Sequence, residues 1–224
     1  MNKLPVLFVS CNASSLQAQQ QAGSGPARMI WGKHFESVVL ISTDADLQAP
    51  LVVPLKGGAA RAERIQALLS SQGFKASIQS EPASTRDGLL HVLLSEEPGD
   101  LSEVRLNTGM SEQEYRRIGQ CLEVLREQGV LIICLDDKTD SQVLLHDRHL
   151  REMINSWVQN QQWGDVMTFK GGSQKIVPTL RLDDPTVCLL NAAFGLGGSQ
   201  FPQRMFSSGM DNSERMLSGF GWMR

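Results

Sequence analysis

The residues best able to do chemistry gather in three short clusters: Cys11 with Asn12, Asp44 with Asp46, and Asp136 with Asp137 and Asp140. A deprotonated thiol is a nucleophile and a soft metal ligand, and a carboxylate beside it can complete a metal site. The simpler role for an aspartate that follows a strand is to cap the next turn or helix, and each cluster is open to that reading. His146 and His149 form an H-x-x-H pair that can grip a metal from one helix face. No third ligand adjoins them, and Asp147, Arg148 and Arg151 around them favour a solvated face. His91 sits in the apolar run 89–94 (LLHVLL), where a hydrogen-bonded core histidine is expected, and His34 follows Lys33 without any pattern. The glycine-rich GLGGS at 195–199 has the look of a phosphate cradle. It follows a predicted helix, however, and the carbonyls at a helix C-terminus repel anions. The chain has no GxSxG, no HExxH and no Ser/His/Asp arrangement recognisable by spacing.

The elements that must position these residues can be read from the hydrophobic pattern. Residues 5–10 (PVLFVS), 37–42 (SVVLIS) and 130–135 (VLIICL) are apolar, β-branched runs expected of strands buried on both faces. Residues 59–71 place Ala62, Ile65, Leu68 and Leu69 at helical spacing before Gly73, and 74–79 alternates like a short strand. Ser111 and Glu114 make an S-x-x-E capping box ahead of Tyr115, Ile118, Leu122 and Leu125, a helix that should end at Gly129. Leu150, Met153, Ile154, Trp157 and Val158 mark another helix, and Asp184 as N-cap with Pro185 opens a last one ending near Gly195. The alternation predicts an α/β fold with a mainly parallel central sheet and helices on both faces. Ligands in such sheets lodge beyond the carboxyl ends of the strands, here residues 11–14, 44–46 and 136–140. The polar tract 17–25 (QAQQQAGSG) is expected to be a loop.

With 224 residues, 41% of them apolar, the chain can bury one large core, and a single domain over 1–224 is expected. A net charge of −3 lacks the basic footprint needed for nucleic acid or anionic membranes. The apolar run near Met1 is too short for a signal sequence or a membrane span, so a cytoplasmic location is expected. Cys11, Cys121, Cys134 and Cys188 are scattered without a CxxC pair and are read as free thiols.

Residues 4–14 (LPVLFVSCNAS) resemble the opening of the LigB-type and DOPA-dioxygenase branch of class III extradiol ring-cleavage dioxygenases. There a strand leads into a histidine–glycine–serine–proline turn; here that turn reads Cys11, Asn12, Ala13, Ser14. Residues 38–45 (VVLISTDA) are similar to the family's second strand, with Asp44 in the place of a histidine. Residues 85–93 (TRDGLLHVL) resemble an aspartate–histidine–glycine segment in which Asp87 takes the histidine's place and Gly88 is kept. Residues 130–141 resemble the strand before another histidine, with Asp140 nearest to it. Residues 184–197 resemble the helix that supplies the last ligand, here Cys188, and 214–221 resemble the closing strand.

The resemblance implies a LigB-like extradiol dioxygenase fold and, in the family, Fe(II) or Zn(II) held by two histidines and a third histidine or carboxylate. In this chain the matching ligands would be Cys11, Asp44 and Cys188, a set that suits zinc better than oxygen chemistry on ferrous iron. Asp87 and Asp140, at pocket positions held by histidines in the family, cannot serve as near-neutral acids or bases without a strongly raised pKa. The connection 45–58 is also short where the family carries a longer, aromatic- and proline-rich loop. The expectation is a non-catalytic homologue without a cofactor, with a binding or scaffolding role beside a second copy or an active paralogue. The alternative is a divergent zinc- or iron-dependent ring-opening enzyme using Cys11, Asp44 and Cys188, or Cys11 as nucleophile. A third reading, ring cleavage with displaced ligands such as His91 and His146, requires residues outside the matched register.

Overall fold

The computed structural model describes residues 3–11, 35–80, 94, 98–137, 185–198, 202–207 and 217–222. The three apolar runs form the expected strands β1 (Val6–Cys11), β2 (Ser37–Asp44) and, further on, β6 (Val130–Asp137), each reaching slightly beyond its apolar stretch. Between them lie β3 (Leu51–Pro54), helix α1 (Ala59–Ser71), the two-residue β4 (Ser77–Ile78), β5 (Asp100–Asn107) and helix α2 (Glu112–Leu122). Helix α3 (Pro185–Leu196), β7 (Gln203–Ser207) and β8 (Leu217–Trp222) follow β6 among the described residues.

The strands make one sheet in the order β4-β3-β5-β2-β6-β1-β8-β7. Its centre, β5-β2-β6-β1, is parallel, but β3 returns antiparallel along β5, and β8 runs antiparallel to both β1 and β7. The sheet is therefore mixed rather than mainly parallel. The physical reason lies in the segment 45–58, which is not a bare connection: residues 45–50 turn the chain back on itself and 51–54 form β3 beside β5. It lies also in a hairpin-like β7–β8 pair. Neither gives a strong strand signal. β3 is only four residues long, and β7 has five residues with a bulge between Arg204 and Phe206.

The three helices among the described residues pack against one face of the sheet. Ala62, Ile65 and Leu69 of α1, Tyr115, Ile118 and Leu122 of α2, and most of α3 form one cluster with Phe8, Val39, Ile41, Val104 and Ile132. The capping box is present: the Ser111 hydroxyl accepts from Glu114 N–H at 3.3 Å, and Ser111 N–H donates to Glu114 Oε2 at 2.8 Å. After α2 the chain tightens into a 3-10 turn, Glu123–Gln128, and leaves it through Gly129 at φ +75°. The opposite face carries Leu7, Val9, Leu40 and Ile133, which are fully buried. Helices were expected on both faces; among the described residues none lies on this second one, and the helix expected at 150–158 falls outside them. No helix among the described residues is long and apolar enough to cross a membrane.

Helices α2 and α3 touch through glycine. A Cβ on Gly119 would lie 2.1 Å from the Ala192 carbonyl oxygen, and one on Gly195 would lie 2.2 Å from that of Arg116. Backbone cannot swing aside as a side chain can, so Gly119→Ala must push the helices apart. A loss of at least about 2 kcal/mol in urea unfolding is expected, and a midpoint like that of the parent protein would refute this contact.

Candidate functional site

The parallel strands end along one edge of the sheet, at Cys11, Asp44, Asn107 and Asp137. Pairing between β2 and β6 stops at Ile41↔Cys134, although both strands run on for three more residues. Their ends therefore part, and a parting at the carboxyl edge is where α/β sheets receive ligands.

A polar group stands on each side of this opening. On the helix side, Asp136 is 2% exposed, and its Oδ2 accepts from the Ser10 and Thr186 hydroxyls, each at 3.0 Å. Ser10 and Asp136 are cross-strand partners, and Thr186 lies in the first turn of α3, where the helix dipole favours a carboxylate. The group ties β1, β6 and α3 together.

On the other face, β2 and β5 pair in the rows Leu40↔Glu103, Ser42↔Arg105 and Asp44↔Asn107. Glu103 is wholly buried, yet its carboxylate accepts from Ser42 Oγ at 2.6 Å and from Arg105 Nε at 3.1 Å, with Arg105 Nη2 also at 3.1 Å. A buried charge persists only when compensated in this way. In the last row Asp44 Oδ1 accepts from Asp46 N–H at 2.9 Å, while Asn107 Oδ1 is buried without a hydrogen-bond partner.

Behind this row, Tyr115 of α2 donates its hydroxyl to the Asn107 carbonyl at 2.7 Å. Burial, and then the Cys188 thiol beside it, push the Tyr115 hydroxyl well above the usual phenol range. Cys188 itself is fully buried in the helix-side core. Burial likewise raises the Cys134 thiol far above its ordinary value. Cys121, Cys134 and Cys188 are free of disulfides, as expected.

The residues singled out in the sequence thus receive different places. Cys11 closes β1 opposite Asp137 and Leu217. Asp44 closes β2 and caps the following turn, the simpler role weighed for it. It continues the alternation of the face away from the helices, whereas Cys188 belongs to the helix-side core. Asp87, Asp140, His91, His146 and His149 lie outside the described residues. Among the described residues, no three histidine, cysteine or acidic side chains come together as a metal site requires. Gly197, in the glycine-rich run, is explained by packing: a Cβ there would lie 2.1 Å from Cδ1 of Trp222.

Ser10, Thr186, Ser42, Glu103 and Asn107 were not anticipated. The available signal was a hydroxyl or charge interrupting an apolar run, which identifies a partner only once strand register is known.

The chain matches no family model. No curated protein matches it. It is similar to the crystal structure of an uncharacterized protein, JW3007, from Escherichia coli K12, with 13% identity and a TM-score of 0.60 over 98% of this chain and 99% of that one. At such low identity the likeness concerns the fold, an α/β arrangement around a mixed sheet.

Proposed function

We propose that this chain is a non-catalytic relative of the class III extradiol dioxygenases, with a LigB-like arrangement, whose carboxyl edge serves binding or scaffolding instead of ring cleavage. The observation that carries this reading is the position of Cys188. It corresponds to the family's last metal ligand, yet it is fully buried among apolar side chains and set against the Tyr115 hydroxyl. With 0% exposure, the thiol offers no open face to a metal and its substrate. Asp44, in the place of a family histidine, spends one carboxylate oxygen on a turn. Ferrous extradiol chemistry needs neutral imidazoles with at most one carboxylate, and no matched position supplies an imidazole. The acidic charge balance fits a cytoplasmic protein whose partner is a second copy, an active paralogue or a small molecule, with neither nucleic acid nor membrane involved.

Protein purified without added metal is expected to carry no stoichiometric iron and to consume no oxygen with protocatechuate or DOPA. Changes around a metal's ligands alone typically cost ~10–100-fold in affinity or activity, so replacing every imidazole should reduce turnover to background. Iron together with a yellow ring-opened product would overturn the reading. Stoichiometric zinc or iron that disappears in Cys188→Ser would instead support the divergent metal enzyme built on Cys11, Asp44 and Cys188.

A further inference from the structure

The last row of the β2–β5 pair sets Asp44 directly beside Asn107. Neighbouring strands stand about 4.8 Å apart, and both residues follow the alternation of the face away from the helices. A carboxylate and a carboxamide therefore leave the sheet side by side. Asn107 is 8% exposed, and its Oδ1 is buried without a donor. A buried acceptor left in this state costs stability, so a donor that reaches it is favoured. The Tyr115 hydroxyl holds the Asn107 carbonyl at 2.7 Å, which fixes the backbone from which the carboxamide projects.

The surrounding charge selects the donor. Asp44, half-buried, uses Oδ1 for the Asp46 N–H, and Asp46 adds an exposed carboxylate beside it. The nearest cation in the ladder, Arg105, is bound to Glu103. Two adjacent acceptors in an acidic setting call for a positively charged N–H donor. A hard metal ion is a poorer match, since calcium takes about 6–8 oxygen ligands and magnesium demands a full octahedron. A primary ammonium carries three donors, enough for both side chains and one water.

We propose that Asp44 and Asn107 anchor the primary ammonium group of a small-molecule ligand. The proposal deepens the binding role described above and rests on that reading in that this edge binds instead of catalysing. The probe is butylammonium chloride, with tetramethylammonium chloride and sodium chloride at equal ionic strength as controls. Saturable thermal stabilisation and chemical-shift changes at Asn107 are expected with butylammonium alone, because tetramethylammonium has no N–H. Asp44→Asn keeps an oxygen for the Asp46 cap, and Asn107→Leu removes the orphaned oxygen at nearly constant shape. Each should weaken butylammonium binding roughly tenfold or more, as loss of a charge-assisted hydrogen bond does. Equal responses to all three salts, or unchanged binding in both variants, would overturn the proposal. So would saturable binding of magnesium or calcium that is lost in Asp44→Asn, which would assign the site to a metal ion. Iron content measured on the same sample keeps the two readings apart. Iron-free protein indifferent to butylammonium defeats only the ammonium site, whereas iron with oxygen uptake defeats the non-catalytic reading whatever butylammonium does.

Discussion

Arg126→Met is expected to destabilise the protein by about 3–5 kcal/mol, because it leaves three carbonyl acceptors without their donor, each costing about 1–3 kcal/mol when buried and unsatisfied. Arg126 is 1% exposed. Its Nε donates to the Leu4 carbonyl at 2.7 Å, Nη1 to that of Leu196 at 2.7 Å, and Nη2 to that of Trp222 at 3.4 Å. One guanidinium thus joins the approach to β1, the end of α3 and the end of β8. Burial lowers its pKa, opposed by the nearby carboxylates of Glu123 and Glu127, but an arginine keeps its charge in proteins. Methionine fills similar volume and strands the three carbonyls. Since a typical domain is stable by only about 5–15 kcal/mol, the variant should melt much earlier or accumulate unfolded. Arg126→Lys should recover only part of the loss, because an ammonium cannot fork toward three acceptors. Urea midpoints for both variants measure this, and a Met variant within about 1 kcal/mol of the parent would contradict the role.

The second large effect is expected at Glu103. Replacing it with leucine removes one partner each of Ser42 and Arg105 on the buried face of β2 and β5. The Arg105 side chain retains 15% exposure, so its guanidinium can recover some hydration in place of the lost carboxylate. The cost should therefore fall near the lower end of the range for a broken buried pair, about 3 kcal/mol. The double variant Glu103→Leu/Arg105→Leu should be more stable than Glu103→Leu alone, since exchanging a whole buried pair for apolar side chains is often neutral or favourable. Comparing the single and double variants in a cycle isolates the coupling. A double variant as unstable as the sum of the two single ones would show that the charges act independently.

Local sequence determined much of the scaffold. The apolar runs of β1, β2 and β6 could only be strands buried on both faces, because they offer no polar side to water. The Ser111–Glu114 box and Gly129 fixed a helix start and a turn end through hydrogen bonds and backbone angles spanning a few residues. The strand ends were legible for the same reason, and so was the edge that collects Cys11, Asp44 and Asp137.

Partnership across the chain was a different matter. Ser10 reaches Asp136 over a separation of 126 residues, and Thr186 reaches it over 50. These contacts exist because β1 lies beside β6 in one particular register and α3 descends on the same face. Strand order also placed Asn107 next to Asp44, which makes an unremarkable asparagine part of a candidate site. Conversely, Asp44 and Cys188, expected from the resemblance to share one metal site, follow opposite sides of the sheet. Propensity and periodicity act within a turn or a strand and can say which residues face a core. Which polar groups meet there is decided by the packing of elements distant in sequence, where each buried donor or charge must find a partner that only the assembled sheet supplies.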